Sequence, residues 1–302
     1  SDITLLPDLE IYNALLESGK FKLRVDARLR FEHFENLEKI RKEFAPFHPQ
    51  IKFDSLKAFH DGSLSSMTSY MHENFRNANH NGIRTEFVNS GEFEKYAFIV
   101  DKAGLQMSVH AIGDRSVSEL LDLAEELNNR HGKRDRRFRI EHAQHIHPRD
   151  FARFKELDVI ASVQPTHLYS DAKTAVEILT DDSLEHNYPE LLKHGARLCF
   201  GTDFPVVGES PFETIYFAMT RKAKGFDNGF HPEYNMSLTD CINAYTYENA
   251  YATFEENVRG SLAPGMLADI AVIDGDLFDM SVDEIRCAEV YETYFGGERV
   301  ES

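Results

Sequence analysis

Four side chains that can act as acids, bases or metal ligands each lie near the end of an apolar run. Lys57, His110, His142 and Asp203 occur in the strings SLKAFHDGS, MSVHAIGD, FRIEHAQ and LCFGTDFP. Each string predicts a short buried strand that presents one reactive side chain at its carboxyl end and then turns. In a βα-barrel the loops after the strands share one face, so the four side chains are expected to meet there.

Two imidazoles, a carboxylate and a lysine at one face suggest metal chemistry. Histidine and aspartate are common ligands of catalytic zinc, and a bound ion lowers the pKa of its water to about 7 while a nearby carboxylate accepts the proton. Asp203 suits that base role. A single histidine in an apolar strand is more often a core residue, and Lys57 could simply extend to solvent at the rim.

Composition narrows the classes of partner. The 302 residues carry 33 basic and 51 acidic side chains and a formal charge of −18, which argues against nucleic acid or an anionic membrane and favours a small molecule. Three widely spaced cysteines predict neither a disulfide framework nor a metal knuckle, so a reducing, cytoplasmic setting is expected. No apolar run approaches the ~20 residues of a membrane span, and we find no targeting signal.

Strand and helix patterns alternate over most of the chain, which predicts an α/β fold with a parallel sheet. A helix, IYNALLESG, comes before the first predicted strand. About six barrel strands are predicted where a complete barrel has eight, so about two N-terminal βα units are expected to be absent. We therefore predict a TIM-like (β/α)8 barrel, incomplete at its N-terminus, over residues 1–257 and a small β appendage over 258–302. The predicted barrel strands are 21–31, 51–59, 105–112, 137–143, 158–165 and 197–204.

Seven strings in fixed order resemble the metal-dependent amidohydrolase superfamily, in the branch that contains N-substituted formamide deformylase. They are LKAFHDGSLSS, VHAIGDRSV, RIEHAQ, SVQPTH, FGTDFPV, AYTYENAYA and GSLAPGMLADIAVID, and together they span roughly residues 50–300. The resemblance implies a distorted (β/α)8 barrel with a small β-sandwich built from both chain ends. It also implies one or two divalent metals, with zinc the expected ion.

The resemblance also implies a role for each of the four side chains. Lys57 matches a fourth-strand lysine that is often carboxylated and bridges two metals. His110 and His142 match ligands of the second metal, and Asp203 matches an eighth-strand aspartate that binds the first metal and moves the proton. The His-x-His pair of the first barrel strand is missing, so a single-metal or empty site is expected.

Other polar residues near the predicted strand ends are weaker candidates for substrate contacts. Asp61 either caps its loop or contacts substrate, and Arg115 pairs either with a substrate carboxylate or with a neighbour. Gln164 and His167 lie in VQPTH at the end of the predicted strand 158–165, where His167 either contacts the substrate or an oxyanion or has a structural role. The chain's own His-x-His, from His145 to His147, is expected to face solvent and not to bind metal.

These observations leave three hypotheses. The first is a hydrolase that cleaves an amide or other C–N bond of a small molecule by attack of metal-bound hydroxide. The second is an inactive barrel fragment without the full metal site. The third is a metal-free enzyme that uses Lys57 as a Schiff-base amine, which the two strand-end histidines disfavour. Unpaired edges of the appendage strands predict low solubility or association with another chain, and a homo-oligomer is left open.

Overall fold

The computed structural model describes residues 1–3 and 5–300, and it shows an α/β fold with two sheets. The larger sheet has seven parallel strands in chain order, and the smaller sheet has three antiparallel strands. The strands are β1 (Asp2–Ile3), β2 (Val25–Arg30), β3 (Ile51–Phe59), β4 (Gln106–Ala111), β5 (Arg139–His142), β6 (Ile160–Val163), β7 (Arg197–Phe200), β8 (Ile270–Ile273), β9 (Val290–Phe295) and β10 (Glu298–Arg299).

Twelve α-helices lie between and after these strands in the described part of the chain. None of them is long and apolar enough to cross a membrane. The helices are α1 (Asp8–Glu17), α2 (Leu37–Phe44), α3 (Glu86–Asn89), α4 (Glu92–Lys102), α5 (Asp114–His131), α6 (Phe151–Glu156), α7 (Leu168–Ile178), α8 (Tyr188–Lys193), α9 (Pro211–Thr220), α10 (Leu238–Tyr245), α11 (Tyr247–Ala252) and α12 (Val282–Arg286).

The six predicted parallel strands are confirmed, and the structure adds one that we did not predict. Asp2–Ile3 pairs in parallel with β2, so a strand precedes the first helix and the parallel sheet has seven strands. The prediction that the chain opens with a helix was wrong, because a two-residue strand has no periodicity to detect. The predicted β appendage contains a three-stranded sheet.

The parallel sheet has one apolar face and one polar face. On the apolar face, residues that are paired across adjacent strands form a continuous row that is buried in the main core. The row consists of Ala58, Val109, Ile140, Ala161 and Leu198. The alternate positions carry Lys57, Ser108 and Glu141. Because side chains alternate along a strand, the sequence can bury one face under helices while the other keeps groups for chemistry.

Helix α5 illustrates how the core forms. Its predicted stripe of apolar residues is buried throughout: Val117, Leu120, Leu121, Ala124 and Leu127. A stripe at this spacing packs on a sheet while the opposite face stays polar. The predicted cap of α9 is also present, since the Ser210 hydroxyl accepts the backbone N–H of Glu213.

His145 is fully buried, which shows that the expected solvent-facing position was wrong. Its Nδ1 donates to the carbonyl of Ile112 at 2.9 Å, and its Nε2 forms an ion pair with the buried Glu185. Burial alone would lower the pKa of His145, but the Glu185 carboxylate raises it to about 9. The two residues are forty positions apart, so no local pattern around His145 indicates this counter-charge.

A long polar insertion connects β6 to β7 and contains α7 and Glu185. The His145–Glu185 pair anchors this insertion to the ends of β4 and β5. Glu185 also accepts a hydrogen bond from the side-chain amide of Gln144 at 2.9 Å. Arg221 donates to the backbone carbonyls of Glu185 and His186 at 3.0 and 2.7 Å. The insertion that carries α7 is therefore held at the carboxyl end of the sheet.

The loops after β3 and β4 are joined by one carboxylate. Asp61 accepts backbone N–H groups from Tyr70, Ile112 and Gly113 at 2.8, 3.0 and 2.8 Å. Burial raises the pKa of Asp61 to about 6, although the three backbone donors oppose that shift. Gly113 packs directly on the backbone of Tyr70, where a Cβ atom would lie 2.1 Å from the carbonyl oxygen.

We expect Gly113→Ala to lower the free energy of unfolding by about 2 kcal/mol, because the added methyl group must displace the Tyr70 backbone. Gly201→Ala is the matched control, since a Cβ there meets no atom within 4 Å, and its effect should be about 0.5 kcal/mol or less. Urea unfolding followed by circular dichroism measures both. Equal effects of the two substitutions would contradict the close packing at Gly113.

The buried His145–Glu185 pair predicts a stability loss at alkaline pH. The pKa of His145 is raised on folding, so its contribution is full below pH 6.5 and is lost as the pH rises through about 9. The loss should be on the order of 3 kcal/mol. Urea unfolding across this pH range measures it.

Glu185→Gln should remove this pH dependence and destabilise the protein by about 3 kcal/mol at neutral pH. His194→Gln removes an exposed imidazole and should leave the pH dependence unchanged. A profile in Glu185→Gln that matches the unsubstituted protein would show that the ion pair does not cause the loss.

Candidate active site

Parallel pairing brings the predicted strand-end residues together. Phe59 is in register with His110, and Ala111 is in register with His142. The imidazoles of His110 and His142 therefore sit on adjacent strands, with their ring centroids 4.5 Å apart. Lys57 lies two residues before the end of β3, and Asp203 follows β7 after a short turn.

All four residues line one cavity of about 380 Å³ at the carboxyl end of the parallel sheet. His167 and Asp2 line it as well. The shared location of Lys57, His110, His142 and Asp203 is the arrangement that the sequence predicted. Their metal-binding and catalytic roles stay predictions.

Both imidazoles of the pair are neutral at pH 7. Burial lowers the pKa of His110 to about 4, and it lowers the pKa of His142 well below its ordinary value, with the charges of His110 and Lys57 adding to the effect. His110 Nε2 donates to the carbonyl of Gly62 at 2.9 Å, whereas the buried His142 Nδ1 has no hydrogen-bond partner in the described part of the chain. Neutral imidazole is the form that binds a metal ion.

Two of the four residues have strained backbone conformations. His142 has φ +73° and Asp203 has φ +58°, in the left-handed region that residues other than glycine seldom adopt. Such conformations cost on the order of 1–3 kcal/mol each and are concentrated at functional sites. His142 is the last residue of β5, and Asp203 lies three residues after β7. Strained backbone at both positions supports a functional role for this cavity.

Lys57 is buried and paired, so the simple alternative of a lysine extended into solvent does not hold. Its Nζ lies 2.8 Å from Oδ2 of Asp2, and the residue is 4% exposed. Arg28 contacts the other carboxylate oxygen of Asp2 at 2.7 Å and also reaches Glu141 at 2.6 Å. Burial alone would raise the pKa of Glu141, but Arg139, Arg28 and Lys57 hold it well below its ordinary value. Lys57 therefore belongs to a continuous charged network.

His167 lies against the pair from the next strand end. Its ring centroid is 5.9 Å from that of His142, and its buried Nε2 has no hydrogen-bond partner within residues 1–3 and 5–300. Burial, helped by the charge of His186, lowers the pKa of His167 to about 4, although a backbone hydrogen bond with Thr202 opposes the shift. A neutral imidazole thus lines the cavity beside His142.

Three other predicted site residues do not line the cavity. Asp61 uses both carboxylate oxygens on backbone donors, as the loop-cap alternative proposed. Gln164 donates to the carbonyl of Ser162 at 3.2 Å. Arg115 forms an ion pair with Glu119 at 3.5 Å and lies 4.7 Å from the ring of Tyr70.

The donors present fit one part of a metal site. Within residues 1–3 and 5–300, no three His, Cys, Asp or Glu side chains lie close enough to hold an ion. His110 and His142 nevertheless supply two neutral imidazoles, one with an orphaned buried nitrogen. Lys57 would become an oxygen ligand only after carboxylation of its amine.

Three residues of the cavity wall that carry a carboxylate or an amide were not predicted from the sequence, namely Asp2, Gln144 and Asp171. Gln144 lies two positions after His142, so its place after a strand end was a usable signal. Asp171 comes from the long insertion, and Asp2 from the two-residue strand β1. Neither segment has a pattern that locates it near the site.

Comparison with known proteins supports this description of the fold. The model of the amidohydrolase family matches residues 2–301. The chain is 36% identical over 248 residues to Protein LONG AFTER FAR-RED 3 of Arabidopsis thaliana, covering 81% of this chain and 42% of that protein. It is 24% identical over 226 residues to N-substituted formamide deformylase of Arthrobacter pascens, covering 72% of this chain and 41% of that protein.

A solved structure is also similar. The crystal structure of an uncharacterized metal-dependent hydrolase from Pyrococcus furiosus superimposes with a TM-score of 0.73 and 26% identity, covering 88% of this chain and 54% of that one. The chain thus spans about half the length of the relatives that it matches. The family model, in contrast, covers nearly every residue. The chain belongs to the amidohydrolase family.

Proposed function

We propose that this chain carries the later part of the active site of a metal-dependent hydrolase that cleaves an amide or other C–N bond of a small molecule. The observation that carries the proposal is the pair of neutral imidazoles, His110 and His142, 4.5 Å apart in a cavity shared with Lys57 and Asp203. The fit of these donors to a divalent ion, with zinc expected, supports it.

Each residue has a distinct role in the proposed reaction. His110 and His142 would hold the ion, and a carboxylated Lys57 would supply an anionic oxygen ligand. A divalent ion held there would lower the pKa of a water molecule to about 7 and polarise a substrate carbonyl. Asp203, which lines the cavity, would accept the proton as the water oxygen adds to the carbonyl carbon, and would pass it to the nitrogen as the C–N bond breaks.

We also propose that the seven parallel strands are the second to eighth strands of a (β/α)8 barrel. The family motifs put Lys57 on a fourth barrel strand, and in this chain Lys57 lies on the third strand of the sheet. The greater length of the relatives supports a further strand outside this sequence. On this interpretation one βα unit is missing, and not the two that the sequence suggested. The boundary between residues 257 and 258 stays a prediction.

The second candidate function is an inactive barrel fragment, and one observation favours it. Asp2 Oδ2 lies 2.8 Å from Lys57 Nζ, so the amine that would have to react with carbon dioxide is already held in an ion pair. Carboxylation of Lys57 therefore requires the Lys57–Asp2 pair to open. Zinc binding in the presence of bicarbonate distinguishes the two candidates.

We expect the chain to bind about one zinc ion in the presence of bicarbonate, and His110→Ala or His142→Ala to weaken binding by at least about tenfold because each removes an imidazole ligand. Isothermal titration calorimetry measures the affinity and the stoichiometry. His194→Ala is the matched control because it removes an exposed imidazole directly after the end of α8. This substitution should leave the zinc affinity unchanged.

Lys57→Met should bind zinc more weakly than the unsubstituted chain and should lose any dependence on bicarbonate. Equal zinc affinity in all variants, or no binding in the unsubstituted chain, would contradict the hydrolase proposal and favour the fragment.

Asp203→Asn separates proton transfer from binding, since it should reduce the rate of amide hydrolysis by about a hundredfold or more while the His110–His142 pair still binds zinc.

A further inference from the structure

One wall of the cavity is formed by the start of α7 and contains a carboxylate that the proposed reaction does not use. Asp171 lies in the first turn of this helix and lines the cavity together with His167. Both residues come from the segment that follows β6. The wall therefore presents one carboxylate and one imidazole whose buried Nε2 has no partner among the described residues.

Asp171 is held in a fixed position by its neighbours. The Gln144 side-chain amide donates to Asp171 Oδ2 at 2.9 Å and to Glu185 Oε1 at 2.9 Å. The Ser170 hydroxyl donates to Asp171 Oδ1 at 3.2 Å. Gln144 is itself 1% exposed, and Glu185 is fixed by the buried His145. A carboxylate accepts about four hydrogen bonds, so Asp171 keeps capacity for a ligand donor.

The charges around the cavity favour a cationic ligand. Its described lining carries the carboxylates of Asp2, Asp171 and Asp203, and the amine of Lys57, which is already paired with Asp2. No arginine lines this part of the described structure. A cavity of one dominant sign attracts the opposite charge and repels its own, so a substrate carboxylate is disfavoured.

An apolar surface accompanies these polar groups in the cavity. Leu64, Ile112, Val206 and Val207 contribute to its lining. Such side chains accept a short hydrocarbon segment, and few directed polar groups then fix its orientation. The cavity thus contains the imidazole pair, where the proposed reaction takes place, an apolar wall and the carboxylate of Asp171 on α7.

We propose that Asp171 is a specificity-determining residue that selects amides carrying an ammonium group, joined to the amide by a short apolar spacer. This inference rests on the proposed hydrolase function. The ammonium group donates to Asp171, the spacer lies on the apolar wall, and His167 Nε2 accepts a further hydrogen bond. The amide then faces His110, His142 and Asp203.

The test compares two ligands that differ only at the far end. N-acetyl-diaminobutane ends in an ammonium group, and N-pentylacetamide has a methyl group in its place. Titration of the metal-free chain, followed by nuclear magnetic resonance, should show about tenfold tighter binding of the ammonium ligand, because a hydrogen bond to a charged group is worth more than a neutral contact. Asp171→Asn should reduce the affinity ratio to about one.

Two further variants control for folding and for general charge. Glu177→Gln removes a carboxylate from the exposed side of the same helix and should keep the tenfold preference. Asp171→Glu retains the charge and should keep a preference for the ammonium ligand. A ratio near one in the unsubstituted chain, no binding of either ligand, or an unchanged ratio in Asp171→Asn would overturn the inference.

Hydrolysis is measured separately with the zinc-loaded chain. If neither amide is hydrolysed while the Asp171-dependent binding preference remains, the hydrolase proposal fails and the assignment of Asp171 as the ammonium-binding group is retained. If both amides are hydrolysed at equal efficiency with no preference, the assignment of Asp171 fails and the hydrolase proposal is retained.

Discussion

In-register parallel pairing of β3, β4 and β5 is the constraint on which the site depends. Register places His110 beside Phe59 and His142 beside Ala111, so two imidazoles from distant parts of the sequence meet at one edge. A slip of one residue would turn either imidazole onto the apolar face, among Val109 and its neighbours. The complete burial of that apolar face makes such a slip costly, and the core therefore enforces the geometry of the cavity.

Burial lowers the pKa of every imidazole around the cavity, and a buried counter-charge reverses that effect at one of them. Burial keeps His110, His142 and His167 neutral, and the pKa values of His110 and His167 fall to about 4. His145, only three positions after His142, has a pKa of about 9 because Glu185 provides a buried counter-charge. The same residue type thus serves as a candidate ligand in one place and as a cationic anchor in the other. At His145 the ion pair with Glu185 outweighs the effect of burial, whereas at His110, His142 and His167 burial prevails.

The sequence predicted those features that depend on neighbouring residues. An apolar run that closes on a polar side chain is local, so the six longer parallel strands and the shared position of Lys57, His110, His142 and Asp203 followed from it. The short strand β1, the burial of His145 and the position of Asp171 did not follow, because each depends on a partner far away in the chain. Asp2 pairs with Lys57, His145 with Glu185, and Asp171 with Gln144, and no periodic pattern records such pairs.

The most direct test of the central claim is X-ray diffraction at the zinc absorption edge from crystals of the chain grown with zinc and bicarbonate. If His110 and His142 bind zinc, we expect an anomalous difference peak in the cavity at about 2.1 Å from one ring nitrogen of each residue. Continuous density between Lys57 and that peak would identify the carboxylated lysine. Anomalous peaks confined to exposed histidines, with none between His110 and His142, would contradict the assignment of these imidazoles as metal ligands.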